Sequence, residues 1–122
     1  MVDTGVTRRL AASAMSSPQR ACFLLRVRPE RLEPYLEAHE HVWSDMRQAL
    51  TDCGWQHYSL FVDPQDGLVV GYFETRPGTT TAQAMEAMSG QEVDARWQAG
   101  MADYFTSDGG TPRLLSQYFY LP

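Results

Sequence analysis

Six segments in the order strand, helix, strand, strand, helix, strand predict an α+β fold of the ferredoxin-like βαββαβ type. Three observations carry this prediction. Short apolar runs at 21–27, 55–62 and 68–74 have strand length and are bounded by Pro, Gly and Asp clusters. A stretch with helical periodicity separates the first two runs, and another follows the third. The cluster Asp63-Pro64-Gln65-Asp66-Gly67 lies between the second and third runs and folds them back as a hairpin.

Each element has a local reason. Ala21 to Val27 is short and apolar and is stopped by Pro29, which suits the first turn of a helix running to about Asp52. Pro34 lies in or near that opening turn, where its missing N–H costs little. Gly54 ends the helix. After the hairpin, Pro77 and Gly78 break the chain before a second helical region, from Thr81 to about Met88 and then from Gln91 to Tyr104, interrupted at Ser89-Gly90. A loop at Asp108-Gly109-Gly110-Thr111-Pro112 leads to a last strand expected over Leu114 to Leu121. Strict alternation puts Phe23 and Leu25 opposite Cys22 and Leu24, and Trp55 and Phe61 opposite Tyr58, Leu60 and Val62. Apolar residues on both faces imply that both are covered, so a homodimer is expected across the face that the helices leave open.

At 122 residues the chain has room for one domain, expected over residues 21–122. Residues 1–20 read as a flexible extension with at most a helical stub around Leu10 to Met15, because Thr4, Ser13, Ser16, Ser17 and Pro18 interrupt any apolar period. The uninterrupted apolar segment of a secretory signal is missing from this stretch. A net charge of −5 argues against nucleic-acid binding, and no apolar run has the length of a membrane span. Cys22 and Cys53 form no CxxC pair, which argues against a disulfide scaffold or zinc site; a cytoplasmic protein with reduced thiols is expected. No phosphate-binding loop, dinucleotide fingerprint or nucleophile elbow occurs, so nothing in the chain asks for a cofactor.

The candidate chemistry lies in the first helix. Tyr35, His39 and Trp43 are four residues apart and form one stripe, flanked by Leu32, Leu36, Met46 and Leu50. An imidazole beside a phenol on the buried face suits acid–base chemistry in a partly enclosed pocket, since histidine both gives and takes protons near neutrality. The bland alternative is a histidine satisfied by a single hydrogen bond. His41 makes an H-x-H pair with His39, but residues two apart on a helix point about 200° apart and cannot chelate one ion, so no metal is expected. His41 is placed instead on the polar face with Glu37, Glu40 and Asp45. On the second helix, Arg96, Trp97 and Gln98 offer a guanidinium, a flat indole and an amide, a combination that suits a sugar as well as a packed helix. Tyr58 reads equally as a pocket hydroxyl or a structural tyrosine. The terminal Tyr118-Phe119-Tyr120-Leu121-Pro122 packs, lines the pocket or crosses to a partner.

Several of these pieces together resemble one family. Tyr35-x3-His39-x3-Trp43, Tyr58 with the apolar strand ending in Asp63, Arg96-Trp97 and the closing Phe119-Tyr120-Leu121-Pro122 are similar to L-rhamnose mutarotases over about Gln19 to Pro122. The resemblance implies a cofactor-free, dimeric α/β barrel that interconverts the α and β anomers of a deoxy sugar. It implies His39 as proton donor with Tyr35 as its catalytic partner, Tyr35 and Tyr58 as sugar-binding phenols and Trp97 as a binding aromatic, with Trp43, Arg96 and Gln98 at the same site. Two departures from the family pattern stand out. Glu40-His41 replace Asn-Pro after the histidine. Gln98 replaces a second tryptophan, which removes a stacking wall and adds an amide. Rival readings are a cofactor-independent monooxygenase or haem-degrading enzyme on the same barrel, with His39 as axial ligand, and a non-catalytic sugar-binding dimer.

Overall fold

The computed structural model describes residues 2–16 and 18–122. Four strands, β1 (Arg20–Arg26), β2 (Trp55–Asp63), β3 (Leu68–Thr75) and β4 (Arg113–Leu115), form one antiparallel sheet in the order β2-β3-β1-β4. Since β3 lies between β1 and β2, the helical connection that follows β1 skips one position, as the βαββαβ order requires. The hairpin turn is built from the residues that suggested it. Asp63 and Asp66 accept the amides of Gln65 and Leu68, each at 3.0 Å. Gly67 has φ of 79°, and a Cβ there would lie 1.9 Å from the carbonyl oxygen of Val27, so only glycine fits.

The connection after β1 is not one helix. A 3-10 turn at Pro29–Arg31 leads into α2 (Leu32–Glu40), and α3 (Ser44–Asp52) starts afresh after a three-residue break; α1 (Thr4–Ser16) is the helix in the N-terminal extension. His41 caps α2 at φ −133° and ψ 49°, and Trp43 is the extended residue that opens α3. No Gly or Pro marks this break in the sequence. Val42, a β-branched residue with modest helix propensity, packs against the core here, and Trp43 turns onto Trp97. The single helix expected from 29 to 52 is corrected accordingly. Gly54 does end the segment, at φ 95°.

The second helical region follows the expected pattern, with α4 (Thr81–Ser89), α5 (Glu92–Met101) and a closing 3-10 turn at Ala102–Tyr104. A capping box fixes the start of α4: the Thr80 hydroxyl accepts the Gln83 amide while the Gln83 side chain accepts from the Thr80 amide. Between helices and sheet lie Phe23, Val69 and Phe73 from the strands and Tyr35, Met46, Met88 and Trp97 from the helices, all buried. Trp55 stacks on Phe73 at 3.7 Å and 13° and donates its indole N–H to the Ala84 carbonyl at 3.1 Å.

Three further expectations are corrected. First, β2 holds one extra residue: Gln56 pairs with Glu74 and Ser59 with Tyr72, so three steps on β2 span two on β3. His57 absorbs the excess with φ of 50°. Trp55 therefore shares the helix-covered face with Tyr58 and Leu60, and Phe61 alone of that expected pair points to the other side, where it is 62% exposed. Second, the last strand stops at Leu115, because β4 pairs with only Cys22, Phe23 and Leu24 of β1. Beyond it Tyr118, Phe119 and Leu121 are exposed, and the Arg20 guanidinium sits 3.5 Å over the ring of Tyr120. Third, the N-terminal extension carries a full helix, α1 (Thr4–Ser16), longer than the expected stub. Asp3 opens it by accepting the amides of Gly5 at 2.7 Å and Val6 at 3.3 Å. Met1 and Ser17, also part of the extension expected over 1–20, lie outside the described residues.

Candidate functional site

A cleft of about 640 Å³ opens between the end of α2, α3, the bulged start of β2 and the first turns of α5. Its size is that of a small-molecule site. His39, His41, His57, Tyr58, Asp94, Trp97 and Gln98 all line it, with Met46, Leu50 and Leu60 as apolar wall.

His39 is held in a defined state. Its Nδ1 lies 2.9 Å from the carbonyl oxygen of Tyr35, one turn earlier on α2. A carbonyl only accepts, so Nδ1 carries the hydrogen and the neutral ring keeps its lone pair on Nε2. The ring is wedged between Tyr35 and Trp97, with ring centroids 4.5 Å and 5.5 Å away and the indole plane at 87° to it. Nε2 can accept a proton when the ring is neutral and donate one when it is charged, and the fixed ring restricts where that happens.

The two phenols differ in access. Tyr35 is 3% exposed and lies behind His39, against Phe105, rather than on the cleft wall. Burial pushes its hydroxyl up to about 12. Tyr58 does line the cleft, with 39% of its surface accessible, yet it stands in a concavity walled by Trp55, Phe23 and Phe73. Few waters can solvate a phenolate there, so desolvation raises its hydroxyl strongly, and the negative charges of ionised Tyr35 and of Asp94 add to the shift. Both phenols are therefore neutral hydrogen-bond donors at physiological pH, not bases.

Of the residues singled out in the sequence, His39, Tyr58, Trp97 and Gln98 come together in the cleft and Tyr35 supports it from behind. Trp43 and Arg96 do not join them. Trp43 meets Trp97 edge-on at 5.1 Å from the far side, lining a second, shallower hollow with Pro34 and Tyr104. Arg96 reaches Asp45 at 3.3 Å and lies 5.7 Å from the Trp43 ring, bracing α5 against the start of α3.

Sequence reasoning missed three cleft residues. His41, expected on the polar face of a continuous helix, reaches the cleft because the helix ends beneath it. His57 comes to its edge at the bulge, but its ring turns to the other sheet face, where Nδ1 is 2.9 Å from Glu74 Oε1, whose other oxygen accepts the Tyr72 hydroxyl at 2.7 Å. Asp94 lies three and four residues before Trp97 and Gln98 on one helix face, a spacing that was legible. Among the described residues no group of three or more potential ligands is arranged to hold a metal ion.

An antiparallel sheet layered with helices, and a cleft that presents a positioned imidazole, a neutral phenol and an indole, define a small ferredoxin-like α+β protein built to bind a polar organic ligand. Comparison with known proteins makes the assignment specific. The model of the L-rhamnose mutarotase family matches residues 20–121, and the chain belongs to that family. It is 32% identical over 107 residues to an L-rhamnose mutarotase of Acidiphilium cryptum, covering 85% of this chain and 99% of that protein. It is 27% identical over 106 residues to that of Bacillus subtilis, covering 84% and 98%. Among solved structures, an L-rhamnose mutarotase from Formosa agariphila shares the fold with a TM-score of 0.70 at 21% identity, over 85% of this chain and 99% of that one. A dimeric ferredoxin-like protein from an uncultured marine organism shares it with a TM-score of 0.52 at 14% identity, over 80% and 88%.

Proposed function

We propose that this chain is an isomerase that interconverts the α and β anomers of L-rhamnose or a closely related aldose, with His39 as the proton-transfer residue. The observation that carries the reading is the Nδ1 bond to the Tyr35 carbonyl, which leaves Nε2 as the exchangeable position in a cleft shared with Tyr58 and Trp97. Protonated Nε2 gives its proton to the ring oxygen while a water in the cleft takes the proton of the anomeric hydroxyl, the C1–O5 bond breaks and an aldehyde forms. Rotation about C1–C2 and re-closure, with both transfers reversed, yields the other anomer. Such general acid–base help contributes roughly 10²–10⁴-fold, and the proton balance closes without a cofactor. Tyr58 donates to a sugar hydroxyl, the part of the Trp97 indole that lines the cleft meets the ring's C–H groups, and Tyr35 keeps His39 in place.

The working unit in this reading is a cytoplasmic homodimer. Its support is the exposed Phe61 on the sheet face away from the helices, the exposed aromatic tail and the two free cysteines. Among the described residues no helix is long and apolar enough to cross a membrane. Sedimentation at equilibrium measures the assembly directly.

Saturation-transfer NMR of anomer exchange with L-rhamnose, L-fucose and related aldoses tests the chemistry, comparing the wild type with His39→Ala after circular dichroism confirms folding. Accelerated exchange that falls at least a hundredfold in the folded variant is expected. Exchange at the buffer rate for every sugar, together with a Soret band on adding hemin, would transfer the cleft to haem chemistry.

A further inference from the structure

We propose that Asp94, together with Gln98 one turn further along α5, forms a hydroxyl-recognising pair that decides which aldose the cleft accepts. The proposal rests on the mutarotase reading above and adds to it the identity of the discriminating residues.

Asp94 is a half-buried carboxylate on the cleft wall, and among the described residues none of the ion pairs includes it. Its side-chain hydrogen bond comes from Gln98 Nε2 to Oδ1 at 3.3 Å, a long contact. That contact uses one carboxylate oxygen and one amide hydrogen. Oδ2, the second amide hydrogen and the amide oxygen remain for a ligand, giving two acceptors and a donor within one helical turn. Neighbouring hydroxyls on a pyranose, each of which both donates and accepts, complement this set.

The position suits recognition rather than proton transfer. Asp94 and Gln98 flank Trp97, whose ring stands perpendicular to that of His39 with centroids 5.5 Å apart. A sugar lying against Trp97 with its ring oxygen toward His39 presents hydroxyls along α5. Asp94 and Tyr58 both line the same cleft. A sugar hydroxyl donating to the carboxylate makes a charge-assisted bond, stronger than a bond to a neutral acceptor. A substrate that lacks the hydroxyl would dehydrate the carboxylate and leave it unmatched. Sites built to bond a hydroxyl discriminate most strongly in just that case.

The test measures kcat/KM for anomer exchange on sugars that differ by one hydroxyl: L-rhamnose against L-mannose at C6, and L-mannose against its 2-deoxy form. Wild type is compared with D94A, D94N and Q98L. For the sugar the wild type prefers, D94A is expected to lose about tenfold to a hundredfold, mainly through KM, and the ratio between the members of one pair should collapse toward unity. Q98L, at an exposed position, shifts the same ratio by less and keeps the test valid if D94A fails to fold. Folded variants with the wild-type ratios would overturn the proposal. So would an equal kcat loss on every sugar, which would make Asp94 a proton acceptor instead. A wild type without exchange on any aldose would refute the mutarotase reading and the pair with it, an outcome distinct from an active enzyme with unchanged preferences.

Discussion

Gly71, in the middle of β3, gives the sharpest test of how the sheet is packed. It pairs directly with Phe23 of β1, and the Phe23 ring lies across the space a side chain would fill. A Cβ at Gly71 would stand 2.2 Å from Phe23 Cζ and 2.5 and 2.6 Å from its two Cε atoms, where ordinary contact begins at 3.4 Å. In Gly71→Ala the ring must therefore retreat by more than an ångström, and Phe73 and Tyr58 already stand 6.5 and 6.3 Å from its centre. Overpacking of this kind costs about 1–3 kcal/mol, offset by about 0.5–1 kcal/mol because alanine restricts the unfolded chain. The net loss is about 1–2 kcal/mol, or about 4–8 °C in Tm for a chain of this length. Urea denaturation and a thermal melt would measure it. Phe23→Leu alone should cost about 1–3 kcal/mol. The double variant should lose at least about 1 kcal/mol less than the sum of the two singles, because leucine vacates the space alanine needs. Gly100→Ala is the control: its Cβ meets nothing within 4 Å on α5, so it should gain about 0.5–1 kcal/mol. A neutral Gly71→Ala, or additive losses in the double variant, would refute this packing argument.

Two pH effects follow from the same structure. Tyr35 titrates at about 12 against an ordinary 10.0, and Tyr58 is raised as well, so the stability their neutral forms contribute is complete below pH 10 and is lost as pH climbs through the folded values. Phenolate absorbance in folded protein should show a fraction of the six tyrosines silent at pH 11, smaller in Tyr35→Phe; ionisation of all six together near 10 would contradict it. Glu74 behaves oppositely: the Tyr72 hydroxyl first, then His57, holds its carboxyl below the ordinary 4.5. The stability it contributes is present above that value and lost as pH falls through the lowered one, so Glu74→Gln should flatten the decline in urea midpoint between about pH 5 and pH 3. A decline as steep as the wild type's would assign acid sensitivity to other carboxylates.

Local chemistry made most of the scaffold legible. The hairpin turn, the stop at Gly54, the interruption at Ser89-Gly90 and the first three strands are each written in residues that act within a few positions of themselves. What escaped depends on distant partners. Nothing local ends α2 at His41; Val42 and Trp43 are drawn inward by α5 and the core. Nothing in an apolar tail reveals that β1 offers β4 only three residues, so the ladder ends at Leu115 while the composition continues to read as strand. The cleft divides in the same way. His39, Tyr58 and Trp97 were visible because their residue types suit sugar chemistry, and Asp94 was visible in principle from its helical spacing to Gln98. His41 and His57 arrive by backbone irregularities with no sequence signature. Trp43 illustrates the converse: a perfect four-residue spacing from His39 counts for nothing once the helix between them is interrupted.

The extra residue in β2 bears on how the lineage can change. Strand alternation normally makes a one-residue insertion or deletion ruinous, since every side chain beyond it turns over. Here Gln56 and Ser59 keep their partners on either side of His57. A single-codon loss at that position would straighten the strand and leave Trp55, Tyr58 and Leu60 on the face they occupy now. The imidazole paired with Glu74 is thus an accessory that descendants can acquire or discard in one genetic step while the core beneath stays as it is.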